Sequence, residues 1–398
     1  MKTGVQIGFT NTATGVAQSA DGVPILFVQA VAVSSTFNLN QVYKLTQLSD
    51  LDTLLGDSTT YDATNEVSLV RQVTEFYSAA DNGTILYLVG VDKSSTMSEF
   101  VASEEFETLL RSTGVTAEGN PSPNSRAKMI GVVFAPQDTP TSEGTYYSDV
   151  LTTATALETA LDSMWDNGFR AFAVLDGNNL KSVTDAPDFN TQACPRVAIH
   201  DTTATKDSCA SIGLVLGILS QQAVNYDLGN VSAGSLPIIN AWFTDGTPVS
   251  SILPAQFETL GMNQHLFIRT RDTKSGYFFN DGATADSSTM ALSSISANRV
   301  LNKIADYLQE YLTNIIGSTP PVGTDGNVDS GYLTSLEESF YTTYTDPMVT
   351  NGEVAQVQVS ITNVGVFTST RTLNAEVSIL PRNAVAWITA NIQFVTSL

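Results

Sequence analysis

The stretch VPILFVQAVAV at residues 23–33 is a continuous apolar run of the type that forms a buried β-strand. A second run of the same type, TILYLVGV, follows at residues 84–91. Between them, residues 64–79 carry apolar side chains at helical spacing, which predicts an amphipathic helix. A strand, a helix and a second buried strand in this order indicate an α/β domain.

The same alternation continues towards the middle of the chain. Further strands are predicted at 127–134, 169–176 and 196–199, and further helices at 147–167 and 206–225. We therefore expect an outer α/β domain over residues 23–245, which the sequence leaves open to a subdivision near residues 95–200.

The pattern changes after residue 245 and predicts an α+β C-terminal domain over residues 246–388. Two strands are expected within 264–279, helices at 294–316 and 331–343, and a β-hairpin at 353–380 with Asn-Val-Gly (363–365) at its turn. The segments 1–22 and 389–398 at the chain ends read as short extended arms.

Composition and charge exclude several classes of function. Only 15% of the 398 residues are charged, and the formal net charge is −22. Clustered Lys and Arg are needed to bind nucleic acid or an anionic membrane, so neither is an expected partner. No apolar run is long enough for a transmembrane helix, and the N-terminus lacks the apolar segment of a secretory signal. The low share of charge is typical of a surface that is buried against other protein.

The histidines and cysteines give little support for catalysis. His200 precedes Asp201 after a predicted strand, where an α/β hydrolase could place a catalytic pair, but His265 is the only other histidine and no nucleophile motif accompanies them. Cys194 and Cys209 are expected to be reduced thiols, since two cysteines make no disulfide framework or zinc site.

Metal and nucleotide motifs are also missing from the sequence. Asp325, Asn327 and Asp329 have the alternate spacing of a calcium loop, but Ser330 occupies the glycine position and Leu336 the glutamate position. No glycine-rich phosphate loop is present. We therefore expect a protein that is not an enzyme and has no cofactor or bound metal.

Three stretches resemble the contractile tail-sheath proteins of bacteriophages and related injection systems. SGYFFNDGATAD (275–286) leads into a long helix with an Arg near its start, as in sheath proteins. SILPRNAVAWITANIQF (378–394) resembles their ending of strand, Pro-containing turn, aromatic–Ile pair and final strand. VYKLTQLSDLDTLLG (42–56), followed by residues 73–91, is similar to their N-terminal pattern.

The resemblance implies a structural protomer of a contractile sheath. Such a protomer polymerises with itself around a tail tube in a metastable extended state, and contraction drives the tube through the target envelope. Its implied partners are further copies, the tail tube protein, and the baseplate and tail terminator proteins. Its implied location is a virion tail or a cytoplasmic injection apparatus, assembled in the bacterial host cytoplasm. The alternatives are another virion structural protein, such as a tail-tube or capsid protein, and an α/β hydrolase-like enzyme.

The resemblance also implies that neighbouring subunits exchange their terminal arms by strand addition. An isolated strand is marginal in water, so each arm needs a sheet to join, in its own subunit or in a neighbour. The residues expected to carry these contacts are Val5, Ile7 and Phe9 in the N-terminal arm, and Ile392 and Phe394 in the C-terminal arm.

A helix of the C-terminal domain faces the tube in proteins of this family. By its position this would be the helix at 294–316, on which Arg299 and Lys303 lie one turn apart. In so acidic a chain, these two cations are candidates for docking on an acidic tube. The other interpretation is a solvated helix face with ordinary ion pairs.

Overall fold

A mostly parallel six-stranded sheet forms the centre of the computed structural model, which describes residues 20–114, 126–135, 142–143, 146–178, 180, 183–184, 186–286 and 293–382. Its strands are β1 (Pro24–Ala30), β2 (Val42–Leu45), β3 (Leu86–Asp92), β4 (Met129–Val133), and, after the two-residue strands β5 (Ser142–Glu143) and β6 (Tyr146–Tyr147), β7 (Phe172–Asp176) and β8 (Val197–His200). The order across the sheet is β2-β3-β1-β4-β7-β8. Every neighbouring pair is parallel except β2 and β3, so β2 is an antiparallel edge strand.

Helices cover both faces of this sheet. They are α1 (Asp50–Leu55), α2 (Ser58–Asn65), α3 (Leu69–Ala79), α4 (Met97–Val101), α5 (Glu104–Ser112), α6 (Ser148–Asp166) and α7 (Ile212–Ser220). Residues of β1 show the two faces: Leu26 points towards α7, whereas the Phe27 ring lies 5.0 Å from the ring of Phe106 on α5. A sheet that is buried on both faces explains why its strands read as continuous apolar runs.

Close packing of α3 on α7 depends on two glycines. A Cβ at Gly213 would lie 1.9 Å from the carbonyl oxygen of Gln72, and one at Gly217 would lie 2.4 Å from that of Phe76. The two helices can therefore approach only because these positions have no side chain. Gln72 adds a hydrogen bond, since its Oε1 accepts from the Gly213 amide at 2.7 Å.

The first hydrophobic core extends beyond the predicted boundary at residue 245. After the two-residue strands β9 (Thr202–Thr203) and β10 (Trp242–Phe243), the helix α8 (Pro254–Met262) and the strands β11 (Ile268–Arg271) and β12 (Lys274–Phe279) follow. Their buried residues belong to the same core as β1, and this core continues to Ile295. Residues 246–286 thus pack with the α/β part, although the sequence pattern placed them with the C-terminal part.

The remaining chain forms two smaller cores around a long helix and a hairpin. The elements are α9 (Ile295–Thr313), α10 (Ser330–Phe340), a π-helical turn (Tyr341–Thr345), α11 (Asp346–Thr350), β13 (Val354–Asn363), α12 (Phe367–Thr370) and β14 (Leu373–Pro381). The predicted hairpin is present, but residues 364–372 connect its strands and include α12, so the expected tight turn at 363–365 is wrong.

Candidate functional site

The hairpin of β13 and β14 is a two-stranded sheet. Its register pairs Val357 with Ile379, Val359 with Val377 and Ile361 with Ala375, and these apolar side chains share the face that packs on the two smaller cores. Side chains between them along β14, such as Glu376 and Ser378, are exposed. No third strand joins it within the described residues, and a two-stranded hairpin is only marginally stable without packing on other elements.

The backbone pattern shows which residues of the hairpin point outward. The Val364 amide donates to the Thr372 carbonyl, so every second residue pair from there is hydrogen-bonded. Residues 357, 359 and 361 therefore turn their amides away from β14, and residues 375, 377 and 379 turn theirs away from β13. The Ile361 amide donates to Glu337 Oε1 at 2.6 Å, which agrees with this assignment. Apart from the Ile361 amide, the outward backbone groups of both edges form no hydrogen bond to a third strand of the described residues, and such groups can accept another strand.

Two cavities border the hairpin. One of 350 Å³ lies at the end of α9 and is mostly apolar; its lining includes Leu312, Ile315, Ile316, Tyr332, Leu336, Phe367 and Leu373. The other, of 340 Å³, lies along β13 and is lined by Glu337, Glu338, Tyr341, Thr342, Val357, Gln358 and Val359. The second cavity therefore adjoins the outer edge of β13 and could take side chains of an added strand, whereas the first lies beneath the buried face of the hairpin.

Aromatic rings fix the helices behind the hairpin. Tyr307 and Tyr311 on α9 meet Tyr344 in the π-helical turn, with ring centroids 5.1 and 6.1 Å apart, and Phe340 lies 5.4 Å from Tyr311. The turn of π-helix is followed by Pro347, which cannot donate a helical hydrogen bond. The result is a rigid support behind the more exposed hairpin.

Arg299 and Lys303 have partners within the subunit. The Arg299 side chain is buried, with 3% of the residue exposed, and its guanidinium donates to the carbonyl oxygens of Leu219, Gln222 and Ala223 at 3.0–3.1 Å. It therefore satisfies carbonyl groups at the end of α7. Burial lowers the pKa of Arg299 to about 10, which leaves it charged at neutral pH.

Lys303 and Asp306 extend the same polar stripe of α9. Lys303 Nζ lies 2.8 Å from Glu353 and 3.7 Å from Asp21. Asp306 accepts from Lys128 and, at 2.9 Å, from Arg170, which immediately precede β4 and β7. The spacing of 299, 303 and 306 places these residues on one helix face, and this face joins α9 to the α/β part.

This arrangement corrects the picture of Arg299 and Lys303 as a free basic pair. Neither interpretation from the sequence anticipated a buried Arg299, because its acceptors lie about 80 positions earlier in the chain. Docking of this helix on a tube stays a prediction, and it would have to use groups other than the buried guanidinium.

The two histidines lie in a buried polar cluster. His200 and Asp201 are each 0% exposed, and the Asp201 carboxylate contacts His265 Nδ1 at 2.5 Å rather than His200. His200 Nδ1 lies 3.1 Å from the Leu266 carbonyl, and burial lowers the pKa of His200 to about 4, so the ring is neutral. The Asp201–His265 pair could not be predicted from the local sequence, because 64 positions separate the two residues. These contacts stabilise the fold at the edge of β8.

The ligand crevice of a doubly wound sheet is filled by a side chain. The parallel strands run in the order β3-β1-β4-β7-β8, so the crevice would open at the carboxyl end of β1, between β3 and β4. Gln29 lies there, 2% exposed, and donates to the carbonyls of Lys93 and Ser95 while its Oε1 accepts from the Ala135 amide at 2.9 Å. Gln29 thus links the segments that follow β3 and β4 at this point of the sheet.

The remaining candidates for chemistry have structural positions. Asp329 caps α10 by accepting from the Tyr332 amide, and Asp325 accepts from Asn327, so the loop forms its own turns. Cys194 and Cys209 are free and buried. Across the described ranges, no group of three or more His, Cys, Asp or Glu residues is placed to hold a metal ion.

In the part of the chain that the structure describes, none of the helices combines the length and the apolar character that a membrane span requires. The predicted arm residues Val5, Ile7, Phe9, Ile392 and Phe394 lie outside the described residues. Their pairing stays a prediction.

Comparisons with known proteins agree with this architecture. The chain is 14% identical, with a TM-score of 0.64 and 99% of each chain covered, to the helical sheath of the anti-feeding prophage in its contracted state. A chain of the anti-feeding prophage baseplate gives a TM-score of 0.65 at 12% identity, with coverage of 100% and 99%. The sheath tail protein of Desulfitobacterium hafniense gives 0.52 at 10% identity, with coverage of 95% and 100%. At these identities the likeness shows the fold.

No curated protein matches the sequence. The family model described as "DUF2586, N-terminal domain" matches residues 3–283, a range that includes all strands of the six-stranded sheet. The expected kinship with sheath proteins is confirmed at the level of fold: the chain belongs to the DUF2586 family and has the fold of the sheath proteins of contractile injection systems.

Proposed function

We propose that this chain is the protomer of a contractile sheath. It polymerises around a tail tube in a metastable extended state, attaches to a baseplate, and contracts to drive the tube through a target envelope. The observation that carries the proposal is the match along almost the whole chain to a sheath in its contracted state. The crevice filled by Gln29 and the buried histidines further favour a structural role over an enzymatic one.

The linkage between protomers is proposed to be strand addition to the hairpin of β13 and β14. The outward amides of Val357 and Val359, and the matching edge of β14, offer main-chain partners for the arms of neighbouring copies, which are residues 389–398 and the part of 1–22 that precedes Ala20–Gly22. Four to six added hydrogen bonds, each worth about 0.5–1.5 kcal/mol, would make each link durable. Such a link can turn at the arm while the folded parts move as rigid bodies.

Two variants test the strand-addition model. Deletion of residues 389–398 removes the proposed donor, and Val359→Pro removes one outward amide of the proposed acceptor without touching the β13–β14 bonds. We expect both proteins to fold, judged by circular dichroism, and to lose pelletable polymer. Val359→Thr keeps the amide and the branched shape, so it should assemble normally. Polymerisation of the deletion variant at natural levels would contradict the model.

A further inference from the structure

Three cations cluster on the ribbon of β11 and β12. Arg269 and Arg271 lie on β11 and Lys274 begins β12, so three of the 18 basic residues of the chain fall within six positions. Within the described residues, seven other basic side chains lie within 4.0 Å of a carboxylate oxygen, whereas no such ion pair involves these three. Asp272 in the turn of the ribbon, together with Glu258 and Asp281, acts on Arg269 without forming an ion pair, so the ribbon is a concentration of positive charge that these carboxylates offset only in part.

The ribbon cations are held in place by weak partners. The Arg269 guanidinium lies 4.9 Å from the centre of the Phe257 ring. Arg271 donates to the Asn280 carbonyl at 3.5 Å, and its buried Nε has no hydrogen-bond partner. Burial, followed by the repulsion from Arg271, lowers the pKa of Arg269, although Glu258 and other nearby carboxylates oppose this shift. The ribbon would therefore gain from an external anionic surface.

The complementary surface lies on α4 and α5. Glu99, Glu104 and Glu105 are exposed, and none of them lies within ion-pair distance of a cation in the described parts of the chain. Glu105 Oε2 accepts from Asn40 Nδ2 at 2.8 Å, and the Asn40 amide donates to the carbonyl of Gly90 on β3. These bonds place Glu105 at the β2–β3 edge of the sheet, whereas Phe100, next to Glu99, packs on Phe27 of β1.

The two surfaces lie at opposite edges of the same sheet. The chain entering β11 runs beside β8, where Leu266 pairs with His200. Five strand spacings of about 4.8 Å separate β2 from β8, so the two edges are about 24 Å apart. The ribbon and the acidic surface of one subunit cannot neutralise each other, but those of two copies in the same orientation can.

We propose that the basic ribbon Arg269–Lys274 of one copy docks on the acidic surface Glu99–Glu105 of the next. The contact is heterologous, because the two patches are different, and repetition of it gives rings or helical arrays rather than a closed dimer. This inference rests on the proposed function, to which it adds a second contact that is separate from strand addition. Complementary charge would also align copies that otherwise repel each other through a net charge of −22 each.

A charge-swap experiment on the full chain tests this contact. Arg271→Glu/Lys274→Glu makes the ribbon acidic, and Glu104→Lys/Glu105→Lys makes the α5 surface basic. We expect each variant alone to form at least about tenfold less pelletable polymer than the natural chain at about 150 mM salt. An equimolar mixture of the two variants should restore assembly, because each then offers the surface that the other lacks. The charge-preserving control Arg271→Lys/Lys274→Arg should assemble like the natural chain.

Restoration by mixing also shows that both variants are folded. Natural assembly by either variant alone, or a mixture that remains unassembled, would overturn the docking model. Electron microscopy of the same samples separates this outcome from failure of the proposed function. If assembly is lost in each variant and restored in the mixture, but no sheath-like cylinders form, the sheath role is contradicted and the docking contact is supported. Sheath-like cylinders formed by a charge-reversed variant alone would support the sheath role and contradict the docking contact. A natural chain that stays monomeric would contradict both proposals.

Discussion

Arg299 joins two helices that are far apart in the sequence. Its guanidinium satisfies three carbonyls at the end of α7 while its backbone belongs to α9. Arg299→Ala leaves these carbonyls without a charged donor, so we expect the free energy of unfolding to fall by roughly 2–4 kcal/mol. Urea unfolding measures this change, with exposed Lys44→Ala as the control that should stay within about 0.5 kcal/mol. A natural midpoint for Arg299→Ala would refute the structural role.

This prediction also changes how docking on a tube can be tested. Alanine substitution of Arg299 together with Lys303 would weaken the subunit itself, so a loss of tube association would not report on the tube. The exposed Glu310 further along α9 is a better probe of a tube-facing surface than Gln309, because Gln309 accepts a hydrogen bond from Arg170 of the same subunit.

Asp176 gives the fold a specific pH dependence. It is fully buried, and burial raises its pKa to about 7, although amide bonds from Ala210 and Asn178 oppose this shift. Because the folded pKa lies above the unfolded value of about 3.9, the folded state binds the proton more tightly, and its stability falls as pH rises from about 4 to 7. We expect the natural chain to lose about 2–3 kcal/mol more than Asp176→Asn between pH 5 and 8.

Urea unfolding of both chains at the two pH values measures the Asp176 contribution. Other buried carboxyl groups, such as Glu158, are common to both chains and cancel in the comparison. Equal losses for the two proteins would contradict the assignment of this slope to Asp176.

At this scale the sequence identifies residues but not their partners. Arg299, Lys303 and His200 could be singled out by residue type and spacing, yet their contacts come from segments 50 to 80 positions away. Asp306 carries no local signal, because a single acidic residue on a helix is ordinary. Gln29 ends an apolar strand and gives no sign that it fills a crevice.

The helix α9 is the element that unites the two parts of the subunit. Asp306 receives Lys128 and Arg170 from the amino ends of β4 and β7, and its side chain is 26% exposed. Removing its charge by Asp306→Asn leaves both cations unpaired. Since the site is partly solvated, we expect a loss of about 1–2 kcal/mol rather than the larger cost of a fully buried pair.

Salt provides the test of the Asp306 cluster. The deficit of Asp306→Asn should shrink as the ionic strength rises, because screening weakens the ion pairs of the natural chain. Exposed Glu338→Gln on α10 removes the same charge and should have little effect. Stability that is insensitive to Asp306→Asn at low salt would show that packing alone joins α9 to the sheet.

Regular elements were the most predictable feature at the element scale. The strand β1 and the helices α6 and α9 fall within the residues that hydrophobic periodicity indicates, and the C-terminal hairpin extends one residue beyond them, to Pro381. Packing decided the rest. The sequence pattern placed the 246–286 segment in the C-terminal domain, but its buried residues complete the first core beside β8. The short helix α12 in the hairpin connection has only four residues, too few for a periodic signal.

For the whole molecule, the order of motifs carried more information than any site. Three stretches, in the order in which sheath proteins have them, pointed to the sheath fold. Solved structures that are only 10–14% identical to the chain share this fold. The net charge follows from the sequence, whereas the distribution of charge over the surface follows from the fold. From the net charge of −22 we expect no nucleic-acid partner, but only the folded sheet reveals that basic and acidic patches lie at opposite edges.

Electron microscopy of the purified full-length chain, alone and with a tail tube protein, tests the central claim that this chain is a sheath protomer. We predict hollow, transversely striated cylinders whose subunits repeat along a helix or in stacked rings. Smooth narrow tubes would instead indicate a tube protein, and closed shells a capsid protein. A monodisperse monomer at every concentration, with or without the tube protein, would contradict the account.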